Sequence, residues 1–222
     1  MARILRKRRS PAAIAIIVDG KDEKWYIEKV RQHYPCDKIR KIKIEPNLPS
    51  AKKINELFSL AKEKIEAHYN RVILFIDLDE PLKDNNEFNT FKDWYGKYLQ
   101  AIAGKLPPRS RHSWLDKVLI VINNPCLEYW YLLHFRKTNK FYDAFEPELK
   151  ADLRKIACME NYEKSESFYN QSPDIYHRLG AEEGIATARK NSSPFDLTTC
   201  RSNGCSEMHR LFDFLDRDLP AL

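Results

Sequence analysis

The fold is decided by a run of apolar residues that stops at two acids, VILFIDLD at positions 72–79. Five consecutive apolar residues rich in β-branched side chains are typical of a strand buried on both faces of a parallel sheet. Two further runs have the same form, AAIAIIVDG at 12–20 and KVLIVINNP at 117–125. The sequence therefore predicts three buried strands, each of which ends in Asp or Asn.

Helical patterns separate these strands. Residues 54–65 carry apolar side chains at the i, i+3, i+4, i+7 and i+11 spacing of an amphipathic helix. Residues 22–34 and 89–102 also predict helices, and the charged-apolar alternation of 38–44 predicts a more exposed strand. The β-α-β-α-β-α-β-α order up to residue 136 predicts an α/β fold with a mostly parallel sheet flanked by helices.

We expect three regions along the chain. Residues 1–11 form a flexible basic arm, 12–136 the α/β core, and 137–222 a helical C-terminal portion packed on that core. The core is expected to end in a helix with Asn124 as its cap and Pro125 in its first position. The C-terminal portion shows no strong strand, and its predicted helices are 146–159, 174–190 with a break near Gly180, and 205–215.

The positive charge of the chain is concentrated at one end. The formal excess is +6, and five basic residues lie in the first nine positions: Arg3, Arg6, Lys7, Arg8 and Arg9. Basic clusters bind nucleic-acid backbones nonspecifically, so we expect nucleic-acid contacts from this arm and from Arg109, Arg111 and His112. The alternative is that the arm is only a solvated terminus.

The sequence predicts a cytoplasmic protein without a membrane partner. The longest apolar run, residues 12–18, is far too short to cross a bilayer, and no signal-peptide cleavage pattern follows it. Five cysteines form an odd set without a regular framework, which fits a reducing compartment.

Acidic side chains follow the buried strands. Ligands bind at the carboxyl ends of the strands in open parallel sheets, so these side chains are expected at one functional edge. Crowded carboxylates require a cation, and Mg²⁺ or Mn²⁺ is the natural one for oxygen ligands. Such an ion activates water and stabilises charge on a phosphoryl group. The alternative is that Asp and Asn only end the strands as turn residues. The acids are Asp19, Glu23, Asp77, Asp79 and Glu128.

Several segments resemble a known family. IIVDGKDE at 16–23 and the strand that leads into 77–79 resemble the metal-binding motifs of Toprim-type proteins. NPCLEYWYLLHF at 124–135 resembles the distinctive segment of the RloB-like family. NYEKS at 161–165 is similar to the Tyr-x-Lys stretch of that family, and CSEMHRL at 205–211 to its closing helix.

The resemblance implies a Toprim-like core, a metal-dependent nuclease and a role in bacterial defence against phage. It implies one metal position at Asp19 and Glu23 and another at Asp77 and Asp79. Glu128 would be a further catalytic acid. Lys164 would be a candidate cation near the phosphate. Apart from the resemblance, Arg189 is a second candidate for neutralising the phosphate.

One position departs from the family pattern. The opening motif usually carries Glu before the glycine, whereas this chain has Asp19, whose carboxylate reaches one methylene less far. A non-catalytic module that senses a nucleotide or a phage component therefore stays open. So does an effector subunit that acts only with a partner.

The sequence also contains a candidate zinc ligand set and lacks a nucleotide-binding loop. Cys200, Cys205 and His209 could bind zinc with Cys158 or His177 as a fourth ligand, although their spacing is not diagnostic. The chain lacks a P-loop pattern, so an ATPase would have to be a separate partner. DNA versus RNA and a homo-oligomeric state are left open.

Overall fold

The computed structural model describes residues 13–36, 39, 42–45 and 52–219. The predicted basic arm, including Arg6, Lys7, Arg8 and Arg9, lies outside these residues. A five-stranded sheet in the order β2-β1-β3-β4-β5 forms the centre of the fold. The first four strands are parallel, and β5 runs antiparallel to β4. The strands are β1 (Ile14–Ile17), β2 (Lys43–Glu45), β3 (Arg71–Asp77), β4 (Val118–Asn124) and β5 (Cys205–Ser206).

Helices flank the sheet, and most of the chain after β4 is also helical. Within the described residues, no helix is both long enough and apolar enough to cross a bilayer. The helices are α1 (Lys21–His33), α2 (Ile54–Glu66), α3 (Asp79–Lys83), α4 (Asn85–Ile102), α5 (Glu128–Leu133), α6 (Lys150–Arg154), α7 (Glu166–Asn170), α8 (Ile175–Arg178), α9 (Ala181–Asn191) and α10 (Met208–Asp213).

Alternate residues of the central strands enter two separate cores. In β3, Ile73 and Phe75 pack with α1, α5 and the C-terminal helices, because side chains alternate between the two faces of a strand. Val72, Leu74 and Ile76 pack on the other face with α2 and α4. Burial on both faces explains the uninterrupted apolar runs and confirms the predicted α/β fold with its mostly parallel sheet.

The prediction that Asn124 caps a helix is wrong. Asn124 is the last residue of β4, and α5 begins only at Glu128. The Asn124 Nδ2 atom donates to the backbone oxygens of Cys200, at 2.7 Å, and Asn203, at 2.9 Å. The side chain therefore ties β4 to the segment before β5 instead of capping the following helix.

The C-terminal portion differs from the prediction in two places. Cys205 and Ser206 pair with the end of β4 as a short strand, so the helix expected over 205–215 starts later, at Met208. The helix expected over 146–159 is interrupted, because Glu146 precedes Pro147 and adopts an extended backbone. The predicted break near Gly180 is confirmed, with a left-handed φ of 85° at that residue.

We expect Asn124→Ala to lower the free energy of unfolding by ~2–4 kcal/mol, because two backbone oxygens lose their donor in a largely buried setting. Urea unfolding followed by circular dichroism measures this loss. The matched control is Asn86→Ala, at an exposed position of α4, which should change the value by less than ~0.5 kcal/mol. Equal effects of the two substitutions would contradict the structural role of Asn124.

Candidate functional site at the carboxyl edge of the sheet

The parallel register brings the acidic strand ends to one edge of the sheet. Asp77 is the last residue of β3 and lies directly across from Asn123 of β4. Asp19 follows β1, and Asp79 begins α3. All three aspartates line one cleft of about 270 Å³, together with Lys52 and the start of α2. The structure thus brings Asp19, Asp77 and Asp79 together in a cleft large enough for a small ligand.

Two donors fix the orientation of Asp77. The Asn123 Nδ2 atom donates to its Oδ1 at 2.9 Å, and the Leu127 backbone N–H donates to its Oδ2 at 3.2 Å. Burial and the nearby charge of Asp79 raise the pKa of Asp77 well above its usual range, although the Asn123 hydrogen bond opposes that rise. The side chain is therefore held in place at a position where its negative charge is disfavoured.

The negatively charged forms of Asp19 and Asp79 are also disfavoured. Asp19 Oδ1 accepts a hydrogen bond from the Lys52 backbone N–H at 2.6 Å. Burial raises the pKa of Asp19 to about 6, and the charge of Asp79 adds to the rise. Burial also raises the pKa of Asp79, whose Oδ1 accepts from the Glu80 backbone N–H at 2.9 Å. A bound cation would relieve the repulsion among these carboxylates.

Glu23 lies in the first turn of α1, near Asp77. Its Oε2 accepts from the Gly20 backbone N–H at 2.6 Å, and the residue is only 4% exposed. Burial, followed by the charges of Asp22 and Asp77, raises the pKa of Glu23 well above its usual range. A Cβ atom at Gly20 would lie against the carboxylates of Glu23 and Asp22, so a larger residue here would require these side chains to shift.

The buried Glu128 pairs with Lys164, whose side chain is 36% exposed, beside these acids. Glu128 is fully buried, its Oε1 accepts from the Tyr162 hydroxyl at 2.7 Å, and its Oε2 lies 3.0 Å from Lys164 Nζ. Lys164 Nζ also lies 3.0 Å from Asp22 Oδ2. Burial tends to lower the pKa of Lys164, but the carboxylates of Glu128 and Asp22 raise it overall, so the ammonium stays charged.

Sequence reasoning missed two residues that contact the Glu128–Lys164 pair, Asp22 and Tyr162. Asp22 lies in the same acidic run as Asp19 and Glu23, so its position in that run was an available signal. Tyr162 stands two residues before Lys164 in the family-like NYEKS segment, and both side chains contact Glu128. The Tyr-x-Lys spacing thus has a physical reason, because it supplies a hydroxyl and an ammonium to one buried carboxylate.

Other predicted cations lie apart from the acids. Arg189 pairs with Asp213 and with Asp216, at 2.6 Å for the latter, and is therefore engaged by the C-terminal helices. Arg109 and Arg111 are exposed on the loop before β4, where Arg111 Nε donates to His112. Their contact with nucleic acid stays a prediction.

The predicted metal ligands are not all close together. Among the described residues, one group of three has its ligand atoms all within 4.8 Å of one another, and it is His33, Asp174 and His177. The strand-end acids therefore stand farther apart than a compact three-ligand site. The candidate zinc ligands Cys200, Cys205 and His209 also do not form such a group in the described part of the chain.

Removing the Asp19 charge should change how stability depends on pH. Folding raises the pKa of Asp19 from 3.8 to about 6, so the folded state binds this proton more tightly than the unfolded state. Stability from this group is thus lost as pH rises between about 4 and about 6. We expect Asp19→Asn to gain stability relative to the wild type over that range and then level off, as measured by urea unfolding at a series of pH values.

The control for this pH series is Asp152→Asn. Hydrogen bonds from Lys155 and Tyr142 lower the pKa of Asp152, so its contribution to stability is lost only below about pH 4. Its difference from the wild type should stay constant where that of Asp19→Asn changes. A pH-independent difference for Asp19→Asn would contradict a repulsive acid cluster.

Comparison with known proteins agrees with the resemblance of the central segments. A family model described as RloB-like protein matches residues 14–215, which is most of the chain. No curated protein and no solved structure matches the chain. The matched span contains every strand and all the acids of the cleft. The chain belongs to the RloB-like family.

Proposed function

We propose that this chain is a divalent-metal-dependent nuclease with a Toprim-like core that acts in anti-phage defence. The observation that carries the proposal is the cleft in which Asp19, Asp77 and Asp79 meet with raised pKa values. Carboxylates whose ionisation is opposed by burial, and for Asp19 and Asp77 also by the charge of Asp79, are suited to a cation. Nucleic acid, either DNA or RNA, is the proposed substrate.

The donor set fits Mg²⁺ or Mn²⁺. Mg²⁺ keeps several waters and is usually held by one or two carboxylates, so the acids need not meet at a compact three-ligand point. Asp77, Asp79 and Asp19 all offer oxygen atoms at the cleft, and Asp19 lies beside Lys52. When bound, such an ion lowers the pKa of water and neutralises charge on phosphoryl oxygens.

The protein side chains would hold and orient the substrate. Lys52 and Lys53 line the cleft and place positive charge where a phosphate would approach the acids. Lys164 is fixed by Glu128 and Asp22, so it can balance charge without moving. Glu128 and Glu23 lie beneath the surface, and we assign them to positioning Lys164 and the first turn of α1. The arm, Arg109 and Arg111 would extend contact along the nucleic-acid backbone.

Metal binding provides a test that does not require the substrate. We expect Mn²⁺ titration by calorimetry to show binding to the wild type and at least about 10-fold weaker binding to Asp77→Asn, because a direct ligand is lost. Asp93→Asn, an exposed acid on α4, is the control and should bind as the wild type does. Equal Mn²⁺ affinity in Asp77→Asn and the wild type would refute this metal position.

Cleavage tests the enzymatic part of the proposal. Purified protein with Mg²⁺ or Mn²⁺ is expected to cut at least one substrate in a mixture of DNA, RNA and tRNA. Asp77→Asn and Asp79→Asn should each lower the rate by at least about 100-fold, since positioned charge in a site is typically worth that much. Asp93→Asn should retain the rate. Activity that survives both substitutions would exclude this cleft as the active site.

A second candidate function rests on the separation of the acids. Because the three aspartates do not form a compact ligand group in the described residues, the cleft also suits a non-catalytic module that binds a nucleotide or a phage component. A related function is that of an effector subunit that acts only with a partner. That partner would be a separate ATPase or a second copy of the chain. Phage protection that persists in Asp77→Asn without any cleavage would favour the binding module.

A further inference from the structure

Two histidines and an aspartate meet at the far end of α1 from the acid cleft. His33 Nε2 lies 2.8 Å from Asp174 Oδ2, and His177 Nδ1 lies 2.7 Å from Asp174 Oδ1. The three ligand atoms all fall within 4.8 Å of one another. We propose that His33, Asp174 and His177 form a transition-metal site, best suited to Zn²⁺, that fastens α1 to α8.

Neighbouring aromatic rings hold the two imidazoles in position. The His33 ring stacks on Tyr176 with centroids 5.3 Å apart, and the His177 ring meets His33 edge-on at 4.6 Å. Ligand rings fixed by packing lose little freedom when an ion binds, so less free energy is spent on ordering them.

The ligand chemistry distinguishes this site from the acid cleft. Two imidazole nitrogens and one carboxylate oxygen form a typical three-residue zinc set, whereas Mg²⁺ favours oxygen alone. Tetrahedral Zn²⁺ at ~2.0–2.1 Å from its ligands separates the ligand atoms by roughly 3.4 Å. His33 Nε2 and His177 Nδ1 lie 2.8 and 2.7 Å from different oxygens of Asp174, and the three ligand atoms all lie within 4.8 Å of one another. The side chains must therefore shift to bring both nitrogens and one oxygen to that separation.

Burial fits an ion with one position open to water. The Asp174 side chain is 11% exposed and His33 is 25% exposed, so both are largely sheltered. The His177 side chain is 50% exposed, which leaves a path from solvent and room for water as the fourth ligand.

Asp174 has two contacts that favour a ligand role and one that opposes it. Both imidazoles approach its carboxylate, His33 Nε2 at 2.8 Å and His177 Nδ1 at 2.7 Å. Lys29 Nζ lies 3.8 Å from Asp174 Oδ2 and would repel a cation, which limits the expected affinity.

The position of the site suggests a structural role. It joins His33 in α1 of the predicted core to Asp174, the N-cap of α8 in the predicted C-terminal portion, 141 positions away. From Glu23 to His33, α1 rises by ~15 Å, so this site is separate from the acid cleft. An ion here would hold the C-terminal portion, which also supplies Lys164 to Glu128, against α1.

Calorimetry on the full chain tests the proposal. After treatment with a chelator, the wild type should bind Zn²⁺ with one ion assigned to this site. His33→Gln and His177→Gln should each weaken that binding by at least about 100-fold, because the loss of an outer partner alone costs up to that much. His177 is half-exposed, so its variant should remain folded, as circular dichroism can confirm.

Two matched variants make the result specific. His68→Asn changes an exposed histidine with a left-handed backbone, which Asn tolerates, and should leave Zn²⁺ binding intact. Asp77→Asn should also leave it intact, because the acid cleft is a different site. Zn²⁺ binding that is lost in Asp77→Asn but kept in His177→Gln would overturn the proposal.

Cobalt gives a spectroscopic readout of the same site. Co²⁺ bound by two imidazoles, a carboxylate and water should show the strong visible absorption of a tetrahedral ion, and His177→Gln should abolish it. Visible absorption that is unchanged in His33→Gln and His177→Gln would refute the assignment, whatever the nuclease assays show.

Discussion

The structure depends on how negative charge is accommodated at one edge of the sheet. Because β1, β3 and β4 pair in parallel, Asp19, Asp77 and Asn123 all lie at the carboxyl edge of the sheet. Glu128, which is fully buried, adds another carboxylate close by. An unpaired charge at such depth is strongly unfavourable, so a buried carboxylate needs both a counter-charge and hydrogen-bond donors. Lys164 and Tyr162 provide these to Glu128.

This requirement makes the two parts of the chain interdependent. Lys164 and Tyr162 belong to the segment after residue 137, while Glu128 and Asp22 belong to the α/β part. The same segment contributes β5, whose Ser206 donates to Asn123, which in turn donates to Asp77. The orientation of a cleft carboxylate is thus set by a chain of contacts that begins more than a hundred residues away. The C-terminal portion is part of the site as well as a cover for the core.

Sequence reasoning reached the features that repeat along the chain. Apolar runs revealed β1, β3 and β4, since burial on both faces leaves no room for polar residues. It failed where tertiary contacts decide the conformation. The two residues of β5 carry no periodic signal, and Asn124 is a good helix cap by type but bonds to the segment before β5. Asp22 was missed because its role depends on the approach of Lys164, 142 positions later.

The glutamate-to-aspartate departure at Asp19 has a local explanation. The short Asp19 side chain accepts from the Lys52 backbone and lies at the wall of the cleft, whereas Glu23 bonds back to Gly20 and is almost fully buried. The two acids that the family pattern assigns to one metal position therefore differ in access. Asp19, Asp77 and Asp79 line the cleft, whereas Glu23 does not, and its burial disfavours a negative charge there. A cation that enters the cleft would meet three aspartates first, and the shorter reach of Asp19 favours a bridging water on that side.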